Sequence, residues 1–274
     1  MGDYRKKYYE QSAFWDKNYL EIPAEKKRIE ETIKAIPPNM HSVLDVGCGN
    51  GCFVNTLVSI FPDRFDRVIG LDRSHEALKH VKTEKLNGNI TDLPFEDESF
   101  DLVTSLEVLE HLPQEDFKRG ISELQRVSKK YIITTVPNNE NLADSLVRCP
   151  KCYCWFSAWC HMRSFNKNTL QNLFENFKLI EAKEIGHVER LAFNRKLLIL
   201  YRFFRKPVPP ETAICPQCGY QNNGKSKNLK NNKNSIDFRS SILSVFKRLV
   251  KLILPGKKRR RWLLALYEKA DRQI

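Results

Sequence analysis

The chain has 274 residues, of which 41% are hydrophobic and 29% charged, the composition of an ordinary globular protein with one core and a small appendage. No apolar run approaches the roughly 18 residues of a transmembrane helix, and the first residues lack the apolar stretch of a secretory signal, so we expect the protein in the cytoplasm. The net charge of +13 is concentrated at one end, because residues 222–274 hold 15 Lys and Arg residues against three acids.

Residues 1–40 predict an N-terminal helical cap. Aromatic side chains crowd the first twenty positions, and Ala24–Ile36 has a helical pattern that ends at Pro37-Pro38. These aromatic residues either cover a ligand or only pin the first helix to the body of the protein.

The segment from residue 43 to residue 61 predicts a strand, a tight turn and a helix. Gly47, Gly49 and Gly51 form the turn, since glycine adopts positive φ freely and lets the backbone approach a ligand closely. Their G-x-G-x-G spacing lacks the sixth-position glycine of the dinucleotide fingerprint. Asp45 lies two residues before the first glycine, where its charge would repel a pyrophosphate but suits a ligand with an ammonium group.

The stretch Asp45-Val-Gly-Cys-Gly-Asn-Gly resembles motif I of the class I S-adenosylmethionine-dependent methyltransferases. Arg67–Asp72 follows as a second strand that ends in an acid. The resemblance implies that Asp72 binds the ribose hydroxyls of S-adenosylmethionine; the alternative is an acid at a helix N-terminus, since Ser74 follows. In similar enzymes an aromatic segment such as residues 1–20 covers the cofactor.

Two later segments, residues 87–95 and 100–112, resemble the third and fourth motifs of the branch that acts on quinones, sugars and other small molecules. This resemblance implies that Asn89 accepts a hydrogen bond from the adenine amino group, although that position is usually acidic. It also implies that the backbone N–H of Ile90 meets the adenine ring, and that the backbone at Ser105 contacts the methionine end of the cofactor.

Alternating elements predict an α/β fold with a doubly wound, Rossmann-like sheet. Strands are predicted near 42–46, 66–71, 101–105 and 130–136, and helices near 51–61, 75–83, 115–128 and 167–177. Two further β-like runs, Lys178–Ile185 and Arg195–Phe204, fit the antiparallel hairpin that ends the seven-stranded sheet of the family. We therefore expect the methyltransferase domain to occupy residues 41–205.

Two cysteine motifs depart from this minimal fold, one in an insertion at 149–161 and one at 206–221. Each has the C-P-x-C spacing of a zinc knuckle, and together they predict a structural Zn²⁺ site: Cys149, Cys152, Cys215 and Cys218. Cys154, Cys160 and His161 are reserve ligands. The alternative is a set of reduced, unconnected cysteines. The aromatic residues of the insertion, Tyr153, Trp155, Phe156 and Trp159, either stack on an acceptor or form the small core of the knuckle.

The remaining sequence predicts a flexible linker at 222–234 and a basic amphipathic tail at 235–274. Apolar residues recur at helical spacing from 242 to 253, and a second helix is expected from Lys257, through Trp262 to Tyr267. Such a tail either contacts an anionic membrane surface peripherally or docks on the catalytic body.

The expected reaction is an in-line methyl transfer, for which a base must take the proton of an acceptor hydroxyl. His111 is the first candidate and His161 the second, since histidine titrates near neutral pH. We expect O-methylation of a small-molecule, glycan or lipid-linked acceptor. The alternatives are an RNA or protein methyltransferase that uses the tail and knuckle for recognition, with nucleic acid the less expected partner, and a silent cofactor-binding module.

Overall fold

The computed structural model describes residues 4–190, 209–222 and 258–270, and within them seven strands form one sheet. The strands of this sheet are β1 Ser42–Val46, β2 Arg67–Asp72, β3 Glu84–Asn87, β4 Phe100–Leu106, β5 Ser128–Pro137, β8 Phe177–Arg190 and β9 Lys258–Lys269; β6 Leu146–Arg148 and β7 Trp155–Ser157 form a separate hairpin. The order in the sheet is β3-β2-β1-β4-β5-β9-β8, in which β9 runs antiparallel to both neighbours and the first five strands are parallel. The Rossmann-like prediction is confirmed.

Helices cover both faces of the sheet. They are α1 Tyr4–Tyr9, α2 Ser12–Trp15, α3 Pro23–Lys34, α4 Cys52–Ile60, α5 His75–Leu78, α6 Gln114–Val127 and α7 Lys167–Gln171. One apolar layer contains Leu124 of α6 and Leu170 of α7, and the other contains Ile29 of α3 and Leu57 of α4. Both faces of the inner parallel strands are therefore buried, as this class of sheet requires.

The sheet brings the carboxyl ends of three strands to one edge. Asp45 of β1 is paired with Gly70 of β2 on one side and with Thr104 of β4 on the other. The chain segments that leave these strands, which include the glycine turn, are consequently neighbours, and ligands of open α/β sheets bind at such an edge.

Strand β9 corrects the predicted tail. The second tail helix was expected to present Trp262 and Tyr267 to a membrane or to the protein surface, but both side chains are buried in the sheet core. Consecutive residues of β9 point into opposite layers, with Leu263 in one and Leu264 in the other. A short, fully apolar run fits a central strand as well as a helix, and periodicity alone does not separate the two.

The predicted end of the methyltransferase domain at residue 205 is therefore wrong, because the strand between β5 and β8 comes from the C-terminal region. Its predicted counterpart, Arg195–Phe204, lies outside the described residues, as do most of the predicted linker and the first tail helix at 242–253. The membrane expectation now rests on that undescribed part of the tail.

The other predicted strands are confirmed, and three local predictions need correction. The helices expected at 75–83 and 167–177 are the short α5 and α7, and β3 was not predicted. All four residues of β3 are exposed at the sheet edge, so it lacks the apolar signal of an inner strand. None of the helices in the described part of the chain has the length and apolar content of a membrane span.

Candidate active site

The glycine turn after β1 has a backbone that only glycine adopts without strain. Gly47, Gly49 and Gly51 have φ values of +80°, +54° and +73°. The backbone N–H groups of Gly47 and Cys48 both donate to the carbonyl of Leu71, at 2.7 and 3.0 Å, and thereby tie the turn to β2. A Cβ atom on Gly47 would lie 2.4 Å from the side chain of Val108. The turn is therefore fixed by its backbone and by close packing.

Asp72 lies at the end of β2 and faces the glycine turn. One carboxylate oxygen accepts the N–H of Gly49 and the other accepts the N–H of Ser74, both at 2.8 Å. Burial raises the pKa of Asp72, against the opposing effect of these N–H groups. The cap of α5 is Ser74, whose hydroxyl accepts the N–H of Ala77, so the alternative prediction of Asp72 as that cap is wrong.

Asp45 lies beneath the turn and not at its surface. The side chain is 1% exposed, and its Oδ1 accepts a hydrogen bond of 2.7 Å from the Thr104 hydroxyl. Burial raises the pKa of Asp45 to about 7. Its carboxylate therefore supports the turn from below, and contact with a ligand's ammonium group would need another acid.

Five of the predicted site residues line one cavity at this edge of the sheet: Gly47, Asp72, Asn89, Ile90 and His111. The other predicted cofactor and catalytic residues do not line it: Asp45, Gly49, Gly51, Ser105 and His161. Ser105 is fully buried in β4. The residues that resemble the cofactor motifs thus meet His111 in a single cavity.

Glu107 also lines this cavity, and the sequence reasoning missed it. It follows β4 directly with a φ of +60°, an uncommon value for a residue with a side chain. Its Oε1 atom is buried without a hydrogen-bond partner among the described residues, and burial raises the pKa of Glu107 against the opposing effect of Arg28. An acceptor oxygen beside Gly47 suits the ammonium group for which Asp45 was predicted. The feature of the sequence that could have identified Glu107 is its position as the first acid after the end of β4.

The N-terminal cover, residues 4–21, closes the cavity from above. Tyr9 and Trp15 line it, and a Cβ atom on Gly49 would lie 2.8 Å from the Trp15 ring. Asn50 donates to the carbonyl of Trp15 at 3.0 Å, and Ser74 donates to the carbonyl of Tyr9 at 2.9 Å. The aromatic segment is therefore pinned to the body and also faces the cavity, and its role in covering a ligand stays a prediction.

A row of rings extends from the cavity to the cysteine insertion. The ring of His111 is 5.9 Å from that of Tyr9 and 4.7 Å from that of His161, which pairs with Glu140. Burial, and then the neighbouring His161, lower the pKa of His111 to about 3. The His111 imidazole is consequently neutral at neutral pH and is a weak base.

Glu110 lies under this row with no exposed surface, and neither carboxylate oxygen has a hydrogen-bond partner among the described residues. Burial, and then Glu107, raise the pKa of Glu110 well above its ordinary value. One ligand atom each from Glu110, His111 and His161 lies within 4.8 Å of the others, so the three could hold a metal ion.

The four predicted zinc ligands meet although more than sixty residues separate the two motifs. Their sulfur atoms all lie within 4.8 Å of one another, and the Cys149–Cys218 and Cys152–Cys215 pairs are each 3.6 Å apart. Four thiolates at a Zn–S distance of about 2.3 Å stand roughly 3.8 Å apart in a tetrahedron. Hereafter these four residues are the cysteine centre, and their arrangement fits a tetrahedral metal.

Of the reserve ligands, Cys154 is beside the centre, with its sulfur 3.2 Å from that of Cys215. Cys160 instead packs against Tyr8, and His161 belongs to the ring row.

Burial acts to raise the pKa of Cys149, but the backbone N–H groups of Cys152 and Lys151 outweigh it and lower that pKa to about 7.

The aromatic residues of the insertion divide into one buried side chain and three exposed ones. Phe156 is 6% exposed and belongs to the small core around Cys149 and Cys215. Tyr153, Trp155 and Trp159 are 63%, 53% and 47% exposed. Hereafter these three are the aromatic shelf.

Residues 44–131 match the family model described as "Methyltransferase domain". Over these residues the chain contains a methyltransferase domain. Several similar proteins are described as probable S-adenosylmethionine-dependent methyltransferases.

Two curated relatives show the extent of the similarity. An uncharacterized protein of Methanocaldococcus jannaschii is 38% identical over 104 residues, which cover 36% of this chain and 42% of that protein. The tRNA (carboxymethyluridine(34)-5-O)-methyltransferase of Arabidopsis thaliana is 35% identical over 116 residues, which cover 40% of this chain and 27% of that enzyme. The chain thus spans less than half the length of each.

Similarity to solved structures extends further and concerns the fold alone. A structure of the complex between the Haloferax volcanii Trm112 methyltransferase activator and the putative methyltransferase superposes with a TM-score of 0.53 at 16% identity. The superposition covers 93% of this chain and 93% of that one.

Proposed function

We propose that the protein transfers the methyl group of S-adenosylmethionine to an oxygen atom of a small-molecule, glycan or lipid-linked acceptor. The observation that carries this proposal is the single cavity in which Gly47, Asp72, Asn89 and Ile90 meet His111. The first four suit the nucleoside of the cofactor, and the histidine stands where an acceptor would approach.

The described residues fit the polar groups of the cofactor. Asp72 would accept the ribose hydroxyls, Asn89 would accept from the adenine amino group, and the backbone N–H of Ile90 would meet the adenine ring. The unpaired Oε1 of Glu107 would accept from the ammonium group of the methionine portion. When bound, S-adenosylmethionine supplies an electrophilic methyl group.

His111 would be the general base. It is neutral at neutral pH and so can receive the proton that the acceptor hydroxyl loses as its oxygen attacks in line, although a pKa of about 3 makes it a weak base that must pass the proton on. His161, paired with Glu140, would hold the His111 ring by edge contact at 4.7 Å. His161 is thus proposed as a positioning residue and not as the base.

The aromatic shelf supports an acceptor with a flat apolar or sugar face. Exposed aromatic side chains offer an apolar face and a polar group, which suits binding of such an acceptor. The backbone N–H of Met162 donates to the carbonyl of Glu110 at 2.7 Å, so the insertion that carries the shelf is fastened beside the ring row. An acceptor on the shelf would reach towards His111.

We also propose a structural Zn²⁺ ion at the cysteine centre. Four thiolates leave no open position on a tetrahedral metal, so the ion would join the insertion to the second knuckle and take no part in chemistry. Metal analysis of the full chain should find about one zinc per chain, and Cys215→Ser should lose it. Cys52→Ser, on α4, is the matched control and should keep it.

The test of the main proposal has two stages. Calorimetry with S-adenosylhomocysteine, the demethylated product, should show one site per chain. Extracts from cells that lack the protein should then accept a labelled methyl group from S-adenosylmethionine, with label in the lipid or small polar fraction. His111→Gln should keep binding of the product and lose more than about 100-fold of the transfer rate.

The result also separates the alternatives. Label in RNA or protein would replace the proposed acceptor, and the Arabidopsis tRNA enzyme among the relatives keeps RNA as the second candidate. Binding of S-adenosylhomocysteine without transfer to any fraction would indicate a silent cofactor-binding module. No heat with S-adenosylhomocysteine would reject the proposal.

A further inference from the structure

The N-terminal cover touches the cofactor cavity and the second knuckle at the same time. Two consecutive residues of α1 make this connection: Tyr8 packs in a buried cluster with Cys160 and Ile214, and Tyr9 packs against that cluster and also lines the cavity. Because Ile214 directly precedes Cys215, this packing joins the cover to the cysteine centre.

Hydrogen bonds reinforce the same contact. Gln11 Nε2 donates to the carbonyl of Thr212 at 3.0 Å, and Gln221 Nε2 donates to Gln11 Oε1 at 2.5 Å. Thr212 also hydrogen-bonds the side chain of Tyr8. The two residues of the cover that carry this contact, Tyr8 and Gln11, lie between the cavity residues Arg5 and Trp15 in the sequence.

The knuckle side of this contact depends on the cysteine centre. Residues 209–222 form turns and one isolated bridge, between Ile214 and Gln221. Their buried side chains Ala213 and Cys215 pack against Cys149 and Phe156 of the insertion. A segment of this size buries too little apolar surface to hold a fold by itself and needs a cross-link or a metal.

The cavity side of the cover forms part of the cofactor site. Trp15 packs over Gly49, and the Glu10 carboxylate accepts the N–H groups of His75 and Glu76, at 3.1 and 3.2 Å, at the start of α5. A cover that opened would remove Tyr9 and Trp15 from the cavity wall. The affinity for the cofactor is therefore highest when the cover is closed in every molecule, and it decreases as the closed fraction decreases.

We propose that metal binding at the cysteine centre holds the N-terminal cover closed over the cofactor cavity, so that the metal and the cofactor strengthen each other's binding. This coupling rests on the proposed function, because it takes S-adenosylmethionine as the ligand and Zn²⁺ as the metal. Thermodynamic linkage then requires that each ligand raises the affinity of the other by the same factor.

The experiment titrates the full chain with S-adenosylhomocysteine, once loaded with Zn²⁺ and once stripped with a chelator. Removal of the metal should weaken binding about tenfold, within the range typical of coupled sites. In the reciprocal titration, Zn²⁺ should bind tighter by the same factor when S-adenosylhomocysteine is saturating. Hydrogen exchange should show faster exchange at residues 4–21 after stripping, with β1 and β4 unchanged.

Gln11→Ala tests the contact itself without removing a cysteine. The variant loaded with Zn²⁺ should bind S-adenosylhomocysteine about as weakly as the stripped wild type, and stripping should weaken it little further. Gln217→Ala is the matched control: this glutamine lies between Cys215 and Cys218, and its side chain contacts Cys152 and not the cover, so the full coupling should remain.

Four results would overturn the coupling. Equal affinity for S-adenosylhomocysteine with and without Zn²⁺ would do so while leaving the proposed function intact, and so would full coupling in Gln11→Ala. Exchange that accelerates equally in the cover and in β1 would mean that the metal stabilises the whole fold and not the cover. Absence of binding in both metal states would reject the proposed function, and the coupling with it.

Discussion

The glycine turn and the second knuckle each contain a glycine at positive φ, but their surroundings differ. Gly47 has a φ of +80°, and a Cβ atom there would lie 2.4 Å from Val108, whereas Gly219 has a φ of +68° and nothing within 4 Å of the same position. The turn is shaped by the sheet that packs around it. The knuckle is shaped by its cysteines. We therefore expect the stability of the glycine turn to depend on the packing around it and the stability of the second knuckle to depend on its metal.

Gly47→Ala should have the largest effect. The left-handed backbone costs a residue with a Cβ about 1–2 kcal/mol, and the clash with Val108 adds about 1–3 kcal/mol of overpacking. Urea unfolding should show both losses, and binding of S-adenosylhomocysteine should fall at least about tenfold because Val108 also lines the cavity.

Gly219→Ala is the matched control for this change. It has the same backbone strain without the clash, so it should cost only about 1–2 kcal/mol and should keep the metal. An equal loss in the two variants would show that backbone strain, and not packing, sets the cost at Gly47.

Phe156→Ala and Trp155→Ala separate the two faces of β7. Phe156 is buried in the core of the knuckle, so its removal should cost about 3 kcal/mol or more and weaken metal binding. Trp155 is 53% exposed, so its removal should change stability by less than about 0.5 kcal/mol.

For the KM of the acceptor we expect the opposite order, with the larger effect from Trp155→Ala. Trp155→Ala should raise the KM for the acceptor if the aromatic shelf binds it, with metal content unchanged. Metal content is measured by the same metal analysis as for Cys215→Ser. A Trp155→Ala enzyme with an unchanged KM would exclude Trp155 from acceptor binding.

The glycine turn could be predicted because its backbone conformation and spacing are local properties of the sequence. Gly47, Gly49 and Gly51 follow an apolar strand at a fixed spacing, and each needs a positive φ that glycine tolerates. Asp72 could be predicted from the end of the next strand for the same reason. Glu107 was missed because its place beside Gly47 depends on how β4 pairs with β1, which no local pattern reveals.

Strand β9 could not be predicted because its partners are distant in the sequence. Tyr131 of β5 is paired with Glu268, and Phe177 of β8 is paired with Lys269. The apolar run from Trp262 to Tyr267 fits either a helix or a buried strand, and tertiary pairing decides between them. The cysteine centre was predictable despite a similar separation, since paired C-P-x-C motifs carry their own signal.

Asp72→Asn should weaken the binding of S-adenosylhomocysteine in the cavity. Asparagine has one acceptor oxygen, so it can accept from Gly49 or from Ser74 and has no second oxygen for a ribose hydroxyl. The loss of a charge-assisted hydrogen bond of about 1.5–3 kcal/mol should weaken binding of S-adenosylhomocysteine by about 10- to 100-fold.

The control is Asp66→Asn, whose side chain is 85% exposed and pairs with His41 at 3.6 Å. It should leave the affinity unchanged, as measured by the same calorimetry. An Asp72→Asn protein with the affinity of the wild type would remove Asp72 from the proposed cofactor site.

Asp45 should make the free energy of unfolding depend on pH. Burial raises the pKa of this carboxyl to about 7 in the folded protein, whereas an unfolded aspartate titrates near about 3.9. Folding therefore takes up a proton between these pH values, and stability from this group falls as the pH rises through the window, by at most about 1.4 kcal/mol per pH unit. Asp45→Asn takes up no proton, so it should gain on the wild type from pH 5 to 7 and hold a constant difference above pH 7.

Asp101→Asn shows the opposite sign and serves as the control for the pH series. Burial acts to raise the pKa of Asp101, but hydrogen bonds from the backbone of His41 and from Lys130 outweigh it and lower that pKa. Stability from this group is then present above about pH 3.9 and lost only in stronger acid, so the variant should differ from the wild type by a constant amount from pH 5 to 8. Urea unfolding at four pH values measures both series. If the Asp45→Asn difference were equally flat, Asp45 would be ionised in the folded protein, and its Thr104 hydrogen bond would outweigh the cost of burial.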